Sequence, residues 1–390
     1  MYQAPVTATH PLLRKDRRRL LAHALAAPLL GWLPGARAQD ATIKIGQSTA
    51  LTGPLGELGS AMHQGAQAAF AGINQRGGVH GRQIELTTLD DGYDVPRSVA
   101  NVDKFLASPD CFALFNCMGT AMVEAFLPHV QTAGMPLFAP FTGAQLARVK
   151  GARNVFNIRA SYADEAEKVV QHLATLGIKR IAVVYQNNSF GKEVLAGAQQ
   201  AIAQLKLPAA ATATVESDSS DAMAAAQKIA DIHPEAVIVG VAGKPALAFI
   251  QGFRPLRRGV SVYALSVLGT PASIKALGTH ATGIAITQVM PLPSSVVTPV
   301  VREFQKAWKA QGQATEPSHL ALEGYINARA FAEALQRAGK NPTRASFIDA
   351  TWTLKKWDLG GFEIDASGPE RSASRFVELT LVGRDGRLIR

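Results

Sequence analysis

The apolar positions of this chain fall into short runs of buried-strand character, separated by stretches with a helical period. Residues 43–47 (IKIGQ) read as a buried strand, and a turn punctuated by Gly53, Pro54, Gly56 and Gly59 follows. Ala66, Ala69, Phe70 and Ile73 then recur at the spacing of one buried helical face. Gly77 and Gly78 end that helix, because glycine takes a left-handed cap without steric penalty. Residues 83–89 form a second strand, closed by the carboxylates Asp90 and Asp91. Strand, turn, helix, strand is a βαβ unit, and such units build parallel sheets whose ligands sit at the strands' C-terminal ends.

The same rhythm runs through the rest of the chain. Asp94 caps a helix with Pro96 just inside it, and strand 112–115 leads to a helix over 120–132 and a strand over 137–139. Strands are predicted again at 180–185, 236–241, 262–265 and 284–288, and helices at 191–205, 299–311 and 320–338. The fold class this predicts is α/β, with parallel sheets covered on both faces by helices. A break falls at 153–164, where Phe156 and Ile158 close one βαβ series and a second begins.

Composition changes this picture little and excludes some functions. A chain of 390 residues with 47% hydrophobic and 18% charged residues buries a large core, in two domains by length. The net charge of +10 is half accounted for before residue 40, where Arg14, Lys15, Arg17, Arg18, Arg19 and Arg37 face only Asp16. The remainder forms no basic cluster, so nucleic acid is not expected as a partner. That N-terminal stretch has the order of a secretory signal: a basic segment, an apolar segment over 20–33 broken by Pro28 and Pro34, and Ala36-Arg37-Ala38 at the cleavage positions. Cleavage is expected after Ala38, making residues 1–38 a leader. Arg17-Arg18 fits a twin-arginine route as well as an ordinary arginine-rich one.

Catalytic and metal signatures are absent where they would be sought. TGPLGELG spaces its glycines three apart, unlike a dinucleotide turn, and GVAGKP (240–245) lacks the spacing and the hydroxyl of a phosphate loop. No serine sits in a G-x-S-x-G elbow, and the nine histidines are scattered. No cofactor, no metal and no enzymatic activity are expected. Cys111 and Cys117 lie in one apparent strand, CFALFNC, which would hold their Cα atoms roughly 20 Å apart. A disulfide needs about 7 Å or less, so two buried free thiols are expected.

The phrases TGPLGELG, INQRGGVHGR and the closing DD resemble the opening of type I periplasmic solute-binding proteins, in the leucine/isoleucine/valine-binding branch that serves ABC importers. The resemblance continues through residues 119–144, 154–191 and 318–335, so it covers the chain from about residue 40. It implies two Rossmann-like parallel-sheet lobes joined by a three-strand hinge. Lobe 1 would comprise 42–159 and 288–345, and lobe 2 would comprise 160–287 and 346–390. It also implies a monomer in the periplasm, with a small-molecule ligand and an inner-membrane ABC permease with its cytoplasmic ATPases as partners.

Carried over residue by residue, the resemblance places the ligand's carboxylate at Met118, Gly119 and Thr120, where a strand gives way to a helix. A helix N-terminus offers unpaired N–H groups and a positive dipole end to an anion, although Thr120 would serve equally as an ordinary helix cap. Phe141, Thr142 and Gly143 would complete the cradle at the next strand's end. Phe190 would close over the ligand from the second lobe, or be a core aromatic at a helix start. Tyr325 would line the side-chain pocket, or be core. Ser161 and Tyr162, at the first crossover, would contact ligand or cap a helix.

Two departures from the family pattern bear on the ligand. Leu58 stands where the leucine binders present a tyrosine, and no carboxylate appears at Ser266 or its neighbours, where those binders place the acid that receives an ammonium. The expected ligand is therefore a small carboxylate-bearing solute: an amino acid, or a related organic acid or amide. The alternative function is ligand sensing on the same fold.

Overall fold

The computed structural model describes residues 42–149, 151–312, 316–368 and 372–390; the expected leader and its cleavage site lie outside them. The first βαβ unit forms as its pattern predicts: β1 (Thr42–Thr49), α1 (Gly56–Gln75) and β2 (Gln83–Asp90). The turn into α1 is close-packed, since a Cβ on Gly56 or Gly59 would strike the carbonyls of Leu51 and Ala50. Asp90 holds that turn from the next strand, accepting from the Leu51 and Thr52 amides (2.9 and 3.2 Å) and the Thr52 hydroxyl (2.7 Å). Asp91 is buried and accepts from Ser48 Oγ (2.8 Å) and the Tyr93 amide (2.9 Å). These are the turn-holding roles that two acids at a strand's end suggest.

The chain continues through α2 (Val95–Ala107), β3 (Cys111–Phe115), α3 (Thr120–Thr132), β4 (Leu137–Phe138) and β5 (Val155–Phe156). These strands form one all-parallel sheet in the order β2-β1-β3-β4-β5. β3 stops at Phe115 because Asn116 turns left-handed (φ 48°), so Cys117 lies past the strand rather than at its end as expected. Both cysteines are buried and free.

A second series follows: α4 (Tyr162–Thr175), β6 (Ile181–Gln186), α5 (Ser189–Gln204), β7 (Ala211–Val215), α6 (Ala222–Asp231), β8 (Ala236–Gly240), α7 (Gly243–Leu256), β9 (Ser261–Ala264), α8 (Pro271–Leu277) and β10 (Ile284–Gln288). β8 is buried at every position, as a central strand covered on both faces must be. Then α9 (Pro299–Ala310), α10 (His319–Ala338) and α11 (Arg344–Thr351) return to the first sheet, packing Phe304, Phe331 and Phe347 into its core with Phe70, Phe115 and Phe138. α10 meets α1 at glycines: a Cβ on Gly65 or Gly324 would overlap the opposite helix's backbone.

The last part of the chain departs from expectation. A hairpin, β11 (Trp357–Asp358) with β12 (Glu363–Ile364), follows α11. Phe347, Leu354, Leu359, Phe362, Ile364 and Ala373 all belong to the first sheet's core, so the chain stays there beyond residue 346. The apolar alternation at Phe362 and Ile364 is satisfied locally by that core. Only β13 (Glu378–Val382) and β14 (Leu388–Ile389) join the second sheet, whose order is β14-β13-β10-β9-β8-β6-β7. β13 runs antiparallel to β10, pairing Glu378 with Gln288. The chain thus passes between the sheets three times: between β5 and α4, after β10, and between β12 and β13.

Candidate functional site

The C-terminal ends of both sheets' strands converge on one pocket. Leu55, Leu58, Tyr93, Met118, Gly119, Thr120 and Phe141 line it from the first sheet's side, and Tyr162, Phe190, Ala242 and Val267 from the second's. The walls lie close together, leaving a cavity of about 20 Å³. Two aromatic side chains pack together in the second side's wall, the Tyr162 and Phe190 rings at 5.0 Å and near-perpendicular.

Thr120 is the first residue of α3, not its cap. The cap position is Gly119 (φ 100°), with no side-chain cap. The Thr120 hydroxyl instead lies 2.8 Å from the Thr142 hydroxyl, which accepts from the Ala144 amide at 3.1 Å. A bridge between the segments holding these threonines sets them side by side: the Gly119 amide donates to the Phe141 carbonyl at 3.2 Å, and the Phe141 amide to the Cys117 carbonyl at 2.8 Å. The Thr120 hydroxyl, backed by that of Thr142, and a helix N-terminus at one end of a mostly apolar pocket suit an anionic group.

Of the residues predicted from sequence, Leu58, Met118, Gly119, Thr120, Phe141 and Phe190 share this pocket, and Thr142 lies directly behind it. Gly143 packs under the Tyr162 ring, where a Cβ would come within 2.6 Å of it. Three others have different neighbours. Ser161 caps α4 in a reciprocal box with Asp164, its hydroxyl donating to that carboxylate at 2.6 Å. Ser266 is tied into a buried ionic cluster. Tyr325 packs on Phe304 and Arg329 and lines a separate hollow with Arg76 and Glu303, because its turn of α10 faces α9.

That ionic cluster is the feature sequence reasoning missed. Arg159, just past β5, is only 2% exposed. It lies 3.5 Å from Glu165 of α4 and 3.6 Å from Glu323 of α10, and it donates to Ser266 Oγ at 2.6 Å. Glu165 also accepts from the Ser266 amide (2.8 Å) and the Thr287 hydroxyl (2.5 Å). Burial pushes both carboxyls above their usual range, against the pull of Arg159. The Arg159 guanidinium sits 5.1 Å from the Phe141 ring and 5.8 Å from the Tyr162 ring, on the far side of the pocket wall. A second buried cation, Arg148, donates to the carbonyls of Thr142 (3.3 Å), Ala144 (2.8 Å) and Arg159 (3.0 Å) and to Ser372 Oγ (2.7 Å). Burial and the neighbouring Arg159 bring its pKa down to about 10. A signal existed: Glu323 interrupts an apolar helix face, and Arg159 follows a buried strand. Leu55 and Tyr93 carried none.

Contacts at the rim also join the two sides. Ser189 at the start of α5 donates to Glu124 of α3, and the Gln145 amide donates to Glu193 of α5 at 3.1 Å. Gly243, opening α7 with φ 60°, lies against Leu55 and the Pro54 carbonyl. Among the described residues no cluster of three or more His, Cys, Asp or Glu is arranged to hold a metal.

The chain matches the family described as periplasmic binding protein over residues 42–386. It is 24% identical to Leu/Ile/Val-binding protein homolog 7 of Brucella suis, over 94% of this chain and 95% of that one. It is 32% identical to a substrate-binding periplasmic protein from Ralstonia solanacearum, whose crystal structure superposes with a TM-score of 0.84, covering 89% of this chain and 99% of that one. A possible leucine/isoleucine/valine-binding protein from Rhodopirellula baltica is 30% identical with a TM-score of 0.83, covering 91% and 98%.

Proposed function

This chain belongs to the type I periplasmic binding proteins, in the leucine-binding family, and on that premise we propose that it captures a small carboxylate-bearing solute and hands it to the permease of an ABC importer. The observation that carries the reading is the pocket's dual wall, built from the strand ends of two different sheets. A solute held there touches both sides only when they are together, so binding favours closure over opening. The proposed lobes are 42–159 with 289–373, and 160–288 with 374–390, which revises the boundaries at residues 288 and 346. The closed form is the one the permease would recognise, in the periplasm after removal of the leader.

The carboxylate is proposed to lie on Thr120 at the start of α3, with the Thr142 hydroxyl bonded behind it and Leu58, Met118, Phe141 and Phe190 around the rest of the solute. Small-angle scattering with thermal shift tests this directly. A bound solute should raise the melting temperature and shrink the radius of gyration together; a ligand that stabilises the chain without changing its dimensions would refute capture by closure.

A further inference from the structure

We infer that the cleft selects an apolar carboxylic acid carrying no ammonium group, with Arg148 supplying a fixed positive charge behind the solute's carboxylate. This rests on the reading of the cleft as a solute site and narrows the chemistry of what it takes.

None of the eleven lining residues carries a carboxylate or a cation; the polar side chains among them are Tyr93, Thr120 and Tyr162. An ammonium withdrawn from water needs an opposite charge or several acceptors. The buried carboxylates nearby are Glu165 and Glu323, which lie against Arg159, and Asp91, which is held by Ser48 and the Tyr93 amide; none of the three lines the pocket, and Glu165 is further occupied by Ser266 and Thr287. The rim carboxylates Glu124 and Glu193 are engaged by Ser189 and the Gln145 amide. An amino acid's ammonium would therefore be buried without a counter-charge.

The opposite holds for an anion. Arg148 is buried, and its four hydrogen bonds all go to neutral oxygens, one of them the carbonyl of Thr142. Asp164, Glu193 and Glu323 act on it only through space, and no described carboxylate is in ion-pair contact with it. A guanidinium without a contacting anion, bonded to the carbonyl of the residue whose hydroxyl pairs with Thr120, favours negative charge at that end of the pocket. The remaining wall of Leu55, Leu58, Met118, Phe141, Phe190 and Val267 is apolar and would face a branched or ring-bearing hydrocarbon body once the two sides part to admit it, the cavity as it stands being about 20 Å³.

Calorimetry on the purified chain with matched ligands decides this. The panel is 4-methylpentanoate, leucine, 4-methylpentanamide and isopentylamine, together with 3-phenylpropanoate, phenylalanine, 3-phenylpropanamide and phenethylamine. Each acid should bind at least about tenfold more tightly than its amino acid and its amide, with the amine weakest. Arg148→Gln should erase most of the acid-over-amide preference while leaving the amide's affinity in place, and Arg148→Lys should retain the preference. A purely structural role for Arg148 would lower both affinities together and overturn its part in selection. An amino acid binding as tightly as its acid overturns the inference while leaving solute capture standing. Absence of any heat from the acids overturns it too, and if sugars, polyols and peptides also leave the melting temperature unmoved, the underlying reading falls with it. Should Arg148→Gln not fold, Arg148→Lys and the ligand pairs on the unaltered chain still decide.

Discussion

Single residues here carry roles that their neighbours in sequence do not disclose. Thr120 is the clearest case: a threonine opening a helix reads as a cap, yet its hydroxyl faces Thr142 and the cap is Gly119. Thr120→Val should therefore weaken solute binding by roughly tenfold to a hundredfold, the worth of one hydrogen bond to a charged group. The melting temperature should fall little, since no cap is lost; calorimetry and a thermal melt on the same variant separate the two effects. His319 makes a prediction in pH. Burial, with Arg390 nearby, brings its imidazole down to about 3 from an ordinary 6.5, so the folded chain binds fewer protons than the unfolded chain between those values. The stability it contributes is complete above about pH 6.5 and is lost as pH falls toward 3, at a slope approaching one proton, roughly 1.4 kcal/mol per unit. Urea unfolding across that range should show His319→Leu missing this component; equal slopes in the two proteins would contradict it.

Elements were the most legible scale. The strands and helices given bounds from the pattern fall within a residue or two of them, because each buries a face with the period its geometry demands, whereas β7 was not predicted and α6, α7 and α8 were expected only as helical stretches between strands. Their ends were less so. β3 stops where Asn116 turns left-handed, and the hairpin near 360 alternates like a strand of the second sheet while packing on the first. Alternation shows that a face is buried, not which core buries it. The side chains of Thr120, Phe141 and Phe190 line one pocket, while Tyr325, on an apolar helix buried almost all round, turns to a different neighbour. The Arg159 cluster escaped notice because its members are scattered over five elements and segments of the chain. Glycine at an element's start gives a test at this scale. Gly243→Ala and Gly283→Ala both place a side chain at positive φ (60° and 75°), but only at 243 does a new Cβ meet the opposite side, 2.7 Å from Leu55. Both variants should lose similar stability, about 1–2 kcal/mol. Gly243→Ala alone should also lose solute affinity and enlarge the liganded radius of gyration in scattering; equal behaviour of the pair would argue against contact-limited closure.

At the scale of the whole molecule, Arg159 links elements that pack on different sheets, and its removal should be felt globally. Arg159→Met strands two buried carboxylates and should cost about 3–5 kcal/mol, whereas the triple change with Glu165→Gln and Glu323→Gln should recover much of that loss in denaturant melts. A recovery that fails would assign Arg159 a packing role instead. The three passages of the chain between sheets have a further consequence, for timing. No contiguous stretch of the sequence contains a finished lobe: the first waits for residues near 373, and β10 keeps one open edge until Glu378 arrives to pair with Gln288. A chain emerging from the ribosome therefore cannot complete one half and store it while the other is synthesised. Pairings this distant in sequence slow folding, and here they also postpone it, so that the nascent protein stays incompletely folded until the residues near Glu378 are made.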